Sequence, residues 1–485
     1  MSTLTRRGLL RLGLGSVSVA ALAACAGPAP TQPAQPGTSP AQPAAAASTP
    51  AAASQPTQPP AATTVAQPAG GRPTWEEAAK QFAGKTINAI EGASDATTSQ
   101  GKLFEQFSQA TGLKVNLEPF SGGDYRTKVQ AEVTGRSGNY DVLAIFTGDV
   151  GRYAQAGAIV PLDDFLNDPM LPDYQLSDYP DAIIDSTMRT GGKIVGLVEG
   201  GNCQIMFCRK DLLEAAGLQP PKDWNELYEA ARKLRKGDVY GASLDLKDVL
   251  AAVRFGNALP PDLSWLDKNN RLSALRDPRT AATLDIWHKL YAEDLIPKDS
   301  IANDLTGSLN IYLTGKAAML PLSWPSSVPG TENPKNSQVV GKTTYAPVPG
   351  GAPNASGWTW GISVDSKNPK AAYLAVGWLT SPDISRRAVA EYAIFDQSLR
   401  KSTITPDVEA AVGKLDQGAA KLAGLQAMSA SWPKARFQPA VTPWGKVLDT
   451  IAPFFQKAVV GDLPAADALN QAADAGDKVL QDAGL

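Results

Sequence analysis

The sequence is poor in the residues that most often carry catalysis and metal binding. It has one histidine, His288, and three cysteines, Cys25, Cys203 and Cys208. A histidine-based catalytic triad or a zinc cluster needs more of these residues than the chain holds. We therefore expect no metal and no cofactor. His288 lies among apolar residues at helical spacing and is interpreted as a solvated or core-edge side chain.

The chain also lacks a strong charge of either sign. Its formal net charge is −3 at pH 7, which offers no large basic surface for a phosphate backbone, so nucleic acid is not expected as a partner. Of its 485 residues, 43% are hydrophobic, which is typical of a globular protein. The part after residue 72 is too long to fold around a single hydrophobic core, because chains longer than about 250–300 residues generally divide into more than one domain. Two lobes are therefore predicted.

The first 25 residues have the pattern of an export signal. Arg6, Arg7 and Arg11 precede an uncharged apolar run from Leu12 to Ala24. As a helix this run would span only about 20 Å, short of a hydrocarbon core of roughly 30 Å. Residues 1–25 are therefore interpreted as a signal peptide and not as a membrane-spanning anchor.

Two motifs in this signal resemble known export sequences. TRRGLLR resembles the twin-arginine motif, and LAAC resembles the bacterial lipobox, in which Cys25 would be lipidated after cleavage. The mature protein would then be held by lipid at the outer face of the cytoplasmic membrane. Residues 26–72 are rich in Ala, Pro, Gln, Ser and Thr, lack apolar periodicity, and are predicted to be a disordered tether.

The remaining cysteines, Cys203 and Cys208, lie five residues apart in a predicted strand. Side chains alternate along a strand, so this spacing places the two thiols on opposite faces and disfavours a disulfide within the strand. Both are predicted to be packed thiols without a redox or metal role.

From Lys85 onward, apolar strand patterns alternate with helical ones. Helical spacing predicts one helix that stops at Gly112 and another, capped by Asp124, that stops at Gly135. This alternation predicts an α/β fold with a mostly parallel sheet flanked by helices. The predicted strands are Thr86 to Ile90, Lys114 to Leu117 and Tyr140 to Phe146; the later helices are Trp224 to about Arg235 with Asp223 as cap, Arg279 to Glu293, Pro369 to Leu379 with Asn368 as cap, and Trp444 to Val460.

Six stretches resemble the extracellular solute-binding proteins, in particular the carbohydrate-binding group that includes the maltose-binding proteins. They cover most of the chain from Lys85 in the order found in that family. The stretches are LFEQFSQATGLKVNLE, YDVLAIFTGDVGRYAQAGAIVPLDDFL, FCRKDLLEAAGLQPPKDWNEL, GKAAMLPLSW, SGWTWGISVDSKNPKAAYLAVGWL and GDLPAADALNQAADAGDKVL.

The resemblance implies a two-lobed periplasmic-binding-protein fold of type II, with mostly parallel sheets and hinge strands between the lobes. Residues 73–200 and 344–400 would form the N-terminal lobe, and residues 201–343 and 401–485 the C-terminal lobe. It also implies a monomer that is not an enzyme but captures a sugar-like solute for the permease subunits of an ABC importer. No GxxxxGK[ST] loop is present, so ATP hydrolysis would belong to another chain.

Polar side chains near strand ends are the candidate ligand contacts, because the crevice of an open parallel sheet lies beyond the carboxyl ends of its strands. The resemblance points independently at Asp149, although an aspartate there could also cap the following helix. The candidates are Glu91, Asp124, Tyr125, Thr147, Asp149, Glu199 and Asn202.

Tryptophans supply the flat surfaces that a sugar needs. The resemblance places Trp324 and Trp358 where sugar-binding relatives have stacking rings, and Trp360 would lie on the same side of an extended segment. Such rings cover C–H faces while carboxylates and amides bond to hydroxyls. Core packing is the alternative role. Arg400 falls in a segment where relatives carry a proline that is absent here, which leaves its role open.

Other functions are compatible with these residues. The ligand could be a polyol, a peptide, a polyamine or an anion, although few arginines near the proposed site disfavour strongly anionic solutes. A secreted glycoside hydrolase would need two carboxylates, which Glu91, Asp149 and Glu199 could furnish. A structural surface lipoprotein would have little use for buried strands and cleft loops.

Overall fold

A computed structural model describes residues 71–439, 441 and 443–485 of the chain. The predicted signal segment with Cys25 lies outside the described residues, and so does the predicted tether except for residues 71 and 72. Within the described part, no helix is both long and apolar enough to span a membrane.

The described residues alternate between strands and helices, as the sequence pattern predicts. The strands are β1 (Thr86–Gly92), β2 (Lys114–Phe120), β3 (Val142–Phe146), β4 (Arg189–Thr190), β5 (Lys193–Ile194), β6 (Leu197–Cys203), β7 (Ile205–Arg209), β8 (Met319–Ser323), β9 (Thr343–Pro347), β10 (Asn354–Ile362) and β11 (Arg436–Phe437). The helices are α1 (Trp75–Ala79), α2 (Asp95–Thr111), α3 (Gly122–Gly135), α4 (Thr147–Gln155), α5 (Asp163–Asn167), α6 (Asp181–Ile183), α7 (Lys210–Ala215), α8 (Trp224–Leu234), α9 (Leu250–Phe255), α10 (Pro278–Ala292), α11 (Leu305–Leu313), α12 (Val328–Thr331), α13 (Pro369–Leu379), α14 (Pro382–Tyr392), α15 (Pro406–Val412), α16 (Gly418–Ser431), α17 (Trp444–Val460) and α18 (Ala465–Asp482).

The first sheet has the strand order β11-β10-β3-β1-β2, and β6 pairs with β10 in addition. Strand β1 is parallel to β2 and β3, as the alternation of strands and helices predicts. Strand β10 is antiparallel to both β3 and β6. The sheet is therefore mixed, with a parallel part formed by the first three strands of the chain.

The second sheet departs from the predicted mostly parallel pairing. It has the order β8-β7-β9, and both neighbours run antiparallel to β7. Strand β7 continues directly from β6, with Gln204 as the one residue between them. Long connections precede both β8 and β9. After each connection the chain enters the sheet at the end where β7 finishes, so β8 and β9 run antiparallel to β7.

Within the described residues, the chain passes twice from a strand of the six-stranded sheet to a strand of the three-stranded sheet or back. It leaves the first sheet at Gln204 and returns between Pro347 and Asn354. A buried amide network joins these crossings: Asn257 Nδ2 donates to Gln204 Oε1 at 2.7 Å, and the backbone N–H of Asn354 donates to Asn257 Oδ1 at 2.6 Å. The predicted lobe boundaries near residues 200, 344 and 400 stay a prediction.

Three hydrophobic cores stabilise these layers. The first surrounds the first sheet, and the other two cover opposite faces of β7. Met206 and Cys208 lie in the second core, whereas Ile205 and Phe207 lie in the third, as strand alternation requires. The two cysteines are free and buried, but the prediction that they share one strand was wrong: Cys203 ends β6 and belongs to the third core, whereas Cys208 lies in β7 and belongs to the second core.

The longer helices agree closely with the sequence pattern. Helices α13 and α17 have the predicted bounds, and Asp223 caps α8 by accepting a hydrogen bond from the backbone of Glu226. Asn368 precedes α13 but its side chain makes no capping hydrogen bond. His288 is half-buried with Nδ1 3.1 Å from the carbonyl oxygen of Val459, which confirms a core-edge position.

Two local predictions were wrong. Strand β3 begins at Val142 and not at Tyr140, because Asp141 accepts a hydrogen bond from the backbone of Asn88 with its side chain and does not continue the strand. Asp124 does not cap α3: the helix begins at Gly122, and Asp124 lies inside its first turn. Its exposed carboxylate accepts a hydrogen bond from Ser121 at 2.7 Å.

Candidate functional site: an acidic and aromatic cavity

A cavity of about 800 Å³ opens at the carboxyl end of β1, where the sequence places the crevice. Its lining comes from elements far apart in the chain, including the ends of β1 and β3, helices α2 and α3, strands β6 and β10, and segments after β8 and α14. The lining residues that matter here are Glu91, Tyr125, Arg126, Phe146, Glu199, Asn202, Trp324, Trp358, Asp396 and Lys421.

Three carboxyl groups line this cavity. Glu91 is the last residue but one of β1, Glu199 lies in β6, and Asp396 lies in a short 3-10 helix after α14. Glu91 and Glu199 are each only 5% exposed. Neutral amides donate to two of the groups: Gln100 Nε2 lies 2.5 Å from Glu199 Oε1, and Asn202 Nδ2 lies 2.8 Å from Asp396 Oδ1.

Burial raises the pKa of each of these carboxyls, because a charged group loses hydration inside the protein. The pKa of Glu91 is well above its ordinary value, first through burial and then through the negative charge of Glu199. Burial raises the pKa of Glu199 to about 7, against the hydrogen bond from Gln100. The pKa of Asp396 is raised for the same reason, against the hydrogen bond from Asn202.

Glu91 and Glu199 lie close enough together for each carboxyl to affect the pKa of the other. Oε2 of Glu91 is buried and no described donor reaches it. A hydrogen bond between the two carboxyls, with the proton on Glu91, raises the pKa of Glu91 and lowers that of Glu199. Two carboxylates can make this bond only while one of them is protonated. With a pKa of about 7, Glu199 is therefore partly protonated near neutral pH.

Aromatic rings form another part of the wall. Trp358 is half-buried in β10 and meets Phe146 edge to face, with ring centroids 5.4 Å apart. Trp324 is also half-buried and directly follows β8. Tyr125 is 4% exposed, and its hydroxyl has no hydrogen-bond partner among the described residues. The cavity thus combines ring surfaces with hydrogen-bond acceptors.

Gly200 in β6 allows the segment that contains Asp396 to pack against this side of the cavity. A Cβ added at Gly200 would lie 2.9 Å from Cβ of Asp396 and 3.2 Å from its carbonyl oxygen. Such a contact is too short for a methyl group, so only glycine permits β6 to lie so close to Asp396. This contact brings Asp396 beside Asn202, although 194 residues separate them in the chain.

The structure brings six of the ten predicted contacts together in the cavity. They are Glu91, Tyr125, Glu199, Asn202, Trp324 and Trp358. Glu91 lies near the carboxyl end of β1 and Asn202 near that of β6, and Trp324 directly follows β8, as the crevice rule predicts. Tyr125 lies in α3, and Glu199 and Trp358 lie inside β6 and β10.

The other four predicted contacts do not line the cavity. Asp149 is bound by Arg126 at 2.8 Å and Arg152 at 3.2 Å. Thr147 begins α4 behind β10, where its methyl group would lie 3.5 Å from a Cβ added at Gly357. Exposed Asp124 bonds to Ser121, and Trp360 is fully buried in the first core.

Sequence reasoning missed several lining residues. Asp396 has no local motif, but paired glycines inside β6, at positions 200 and 201, signal a close approach by another segment. Phe146 is the last residue of β3, directly before the predicted Thr147. Arg126 follows the predicted Tyr125 in α3. Arg400, whose role was open, is buried and donates to the carbonyl oxygens of Thr380 and Tyr174.

Within the described residues, no group of three or more His, Cys, Asp or Glu side chains is arranged to hold a metal ion.

Comparisons with known proteins agree with this architecture. Residues 91–385 match the family model described as bacterial extracellular solute-binding protein. A probable amino-acid ABC transporter periplasmic-binding protein of Sinorhizobium fredii is 27% identical over 325 residues, which are 64% of this chain and 72% of that protein.

Solved structures share the fold. An ABC transporter solute-binding protein of Agrobacterium radiobacter, in complex with ribitol, is 24% identical with a TM-score of 0.64, covering 82% of this chain and 99% of its own. A maltose-bound protein of T. maritima is 20% identical with a TM-score of 0.66, covering 81% of this chain and 99% of its own. The predicted type II periplasmic-binding-protein fold is thereby confirmed.

Proposed function

The chain belongs to the bacterial extracellular solute-binding proteins, and from that premise we propose that its cavity captures a sugar or polyol for delivery to an ABC-type importer. The observation that carries this proposal is the pairing of Trp324 and Trp358 with Glu91, Glu199 and Asn202 in one cavity of about 800 Å³. Carboxylates and amides bond to hydroxyls while rings cover C–H faces. Relatives named for ribitol and maltose support the same ligand class.

Capture would proceed by closure. Cavity residues come from segments on both sides of the two crossings, so a bound solute would contact both and favour a closed form. A permease that recognises this form would then accept the loaded protein. The protein would act as a monomer and as a binder without turnover.

Thermal-shift screening against sugars, polyols and amino acids tests the proposed ligand class. A ligand present at 100 times its Kd stabilises the folded state by about 2.7 kcal/mol. We expect a rise in melting temperature with at least one sugar or polyol. A shift with amino acids alone would favour the ligand named for the Sinorhizobium relative and contradict the proposal. Release of many product molecules per protein from oligosaccharides would instead indicate a hydrolase.

The N-terminal motifs support a lipid-anchored location on the outer face of the cytoplasmic membrane. Residues 1–25 would be removed, Cys25 would carry the lipid, and residues 26–72 would tether the folded part. Labelling with a radioactive fatty acid in a bacterial host tests this: wild type should be labelled, and Cys25→Ala should not. Equal labelling of both proteins would contradict the anchor.

A further inference from the structure

The cavity contains a buried carboxyl oxygen that no hydrogen-bond donor of the described residues reaches. Of the cavity's three carboxyls, Glu199 accepts one hydrogen bond from Gln100, and Asp396 accepts one from Asn202. Oε2 of Glu91 is buried without a donor among the described residues. Buried carboxylates left without a positive partner cost several kcal/mol in general.

The cations that line the same cavity do not pair with these carboxyls. Arg126 forms its ion pair with Asp149 at 2.8 Å, lies over the Phe146 ring at 5.2 Å, and has a side chain 59% exposed. Lys421 is half-buried on α16. Among the described residues, no ion pair joins either cation to Glu91, Glu199 or Asp396.

A second group independently points into the cavity without a partner. The hydroxyl of Tyr125 lies beside the carboxyl pair, is buried, and forms no hydrogen bond within the described residues. Burial first, and then the negative charges of Glu199 and Glu91, raise the pKa of this hydroxyl, so it remains a neutral donor and acceptor. It can bond to a ligand hydroxyl at the same place where the carboxyls lack a cation.

Resting on the proposed function, we propose that the solute is an amino sugar or amino polyol whose protonated amine is held by Glu91 and Glu199, with Asp396 beside them. An ammonium group has three N–H donors and a positive charge, and a carboxylate has only acceptors. A hydroxyl donates one hydrogen bond and leaves the charge uncompensated. The ammonium would take the place of the proton that Glu199 otherwise holds.

This exchange makes binding depend on pH. An ammonium beside the pair favours the ionised carboxylates, so binding releases protons, and the affinity for an amine rises with pH through the titration of Glu199 while the amine stays protonated. Asp396 and Tyr125 face the same pair, and Arg126 faces Tyr125; these groups shift the midpoint without changing the sign. A neutral sugar retains the proton and lacks this dependence.

Calorimetric titration of the purified chain with matched ligand pairs tests the proposal. Each pair contains a neutral sugar or polyol and its amino-deoxy counterpart, such as glucose with 2-amino-2-deoxyglucose and glucitol with 1-amino-1-deoxyglucitol. We expect the amine of at least one pair to bind about tenfold more tightly or better. Titrations in two buffers of different ionisation enthalpy should show proton release for that amine and none for its neutral partner.

Variants separate the ammonium site from general solute binding. Glu199→Gln keeps the shape and the hydrogen-bonding capacity but removes the charge, so it should lose the preference for the amine. Glu105→Gln, at an exposed position of α2 outside the cavity lining, should keep it.

The possible outcomes distinguish this proposal from the proposed function. Equal or tighter binding of the neutral member in every pair would overturn the ammonium site and leave sugar or polyol capture intact. Absence of binding by every sugar, polyol and amine would contradict the proposed function, and this proposal with it. Retention of the amine preference in folded Glu199→Gln would also overturn the assigned site.

Discussion

The guanidinium of Arg254 lies against the ring of Trp324, with its central carbon 6.0 Å from the ring centroid. Arg254 is bound in turn to Asp245 at 2.8 Å through Nε, and both side chains are almost fully buried. The ring of Trp324, which lines the cavity, thus packs against a buried ion pair. This arrangement favours one orientation of Trp324.

Removing one member of that pair should be costly. In Arg254→Met the carboxylate of Asp245 stays buried without its cation, so the free energy of unfolding should fall by about 3–5 kcal/mol. Urea denaturation measures this change. The double variant Arg254→Met with Asp245→Asn removes both charges and should recover part of the loss. A cost below about 1 kcal/mol for Arg254→Met would show that the pair is not a buried ionic contact.

Two tryptophans in β10 should respond differently to substitution. Trp358 lines the cavity and is half-buried, so Trp358→Ala should weaken solute binding about tenfold or more while the protein stays folded. Trp360 is fully buried in the first core, so Trp360→Phe should lower the free energy of unfolding by about 1–3 kcal/mol and change affinity little. Calorimetric titration and urea denaturation of both variants check this. Unchanged affinity in Trp358→Ala would remove that ring from the site.

The raised pKa of Glu199 predicts how stability depends on pH. The folded state holds a proton on this group up to about pH 7, whereas the unfolded chain releases it near its ordinary value of 4.5. The stabilisation is therefore complete at low pH and is lost as the pH rises from about 4.5 to about 7, by roughly 3 kcal/mol. Urea denaturation at several pH values measures this slope.

Glu199→Gln provides the control for that slope, because glutamine does not titrate. The variant should show a flatter dependence between pH 5 and 8 and a higher free energy of unfolding than wild type at pH 8. The exposed Glu105→Gln should retain the wild-type slope. Identical slopes in wild type and Glu199→Gln would mean that the carboxyl titrates normally in the folded state.

Gly200 should tolerate no side chain. In Gly200→Ala the methyl group would meet Asp396, so the Asp396 segment must move away from β6 and the hydrogen bond to Asn202 should weaken. We expect a loss of about 1–3 kcal/mol in the free energy of unfolding together with weaker solute binding. Gly101 in α2 has no atom within 4 Å of an added Cβ, so Gly101→Ala should raise the unfolding free energy by up to about 1 kcal/mol. Equal effects of the two substitutions would contradict the close contact.

Local patterns fixed much of the secondary structure in advance. Proline at the first turn and a continuous apolar pattern located α13, and apolar spacing located α17, because both signals act within a few residues. Caps were less predictable. Asp223 and Asn368 are both residue types that favour the cap position, yet only Asp223 forms the hydrogen bond, since the backbone angles of position 368 are not extended.

The sequence by itself determined the α/β alternation, the buried strands and the residues at the carboxyl end of β1 and beside the crossings, because hydrophobic periodicity and strand direction decide these. Only the tertiary structure decided which polar groups share the cavity. Asp149 leaves it because two arginines bind its carboxylate, and Asp396 enters it because Gly200 allows a segment 194 residues away from Asn202 to pack closely. Contacts between distant segments depend on the shape of the whole fold, and no short pattern in the chain records them.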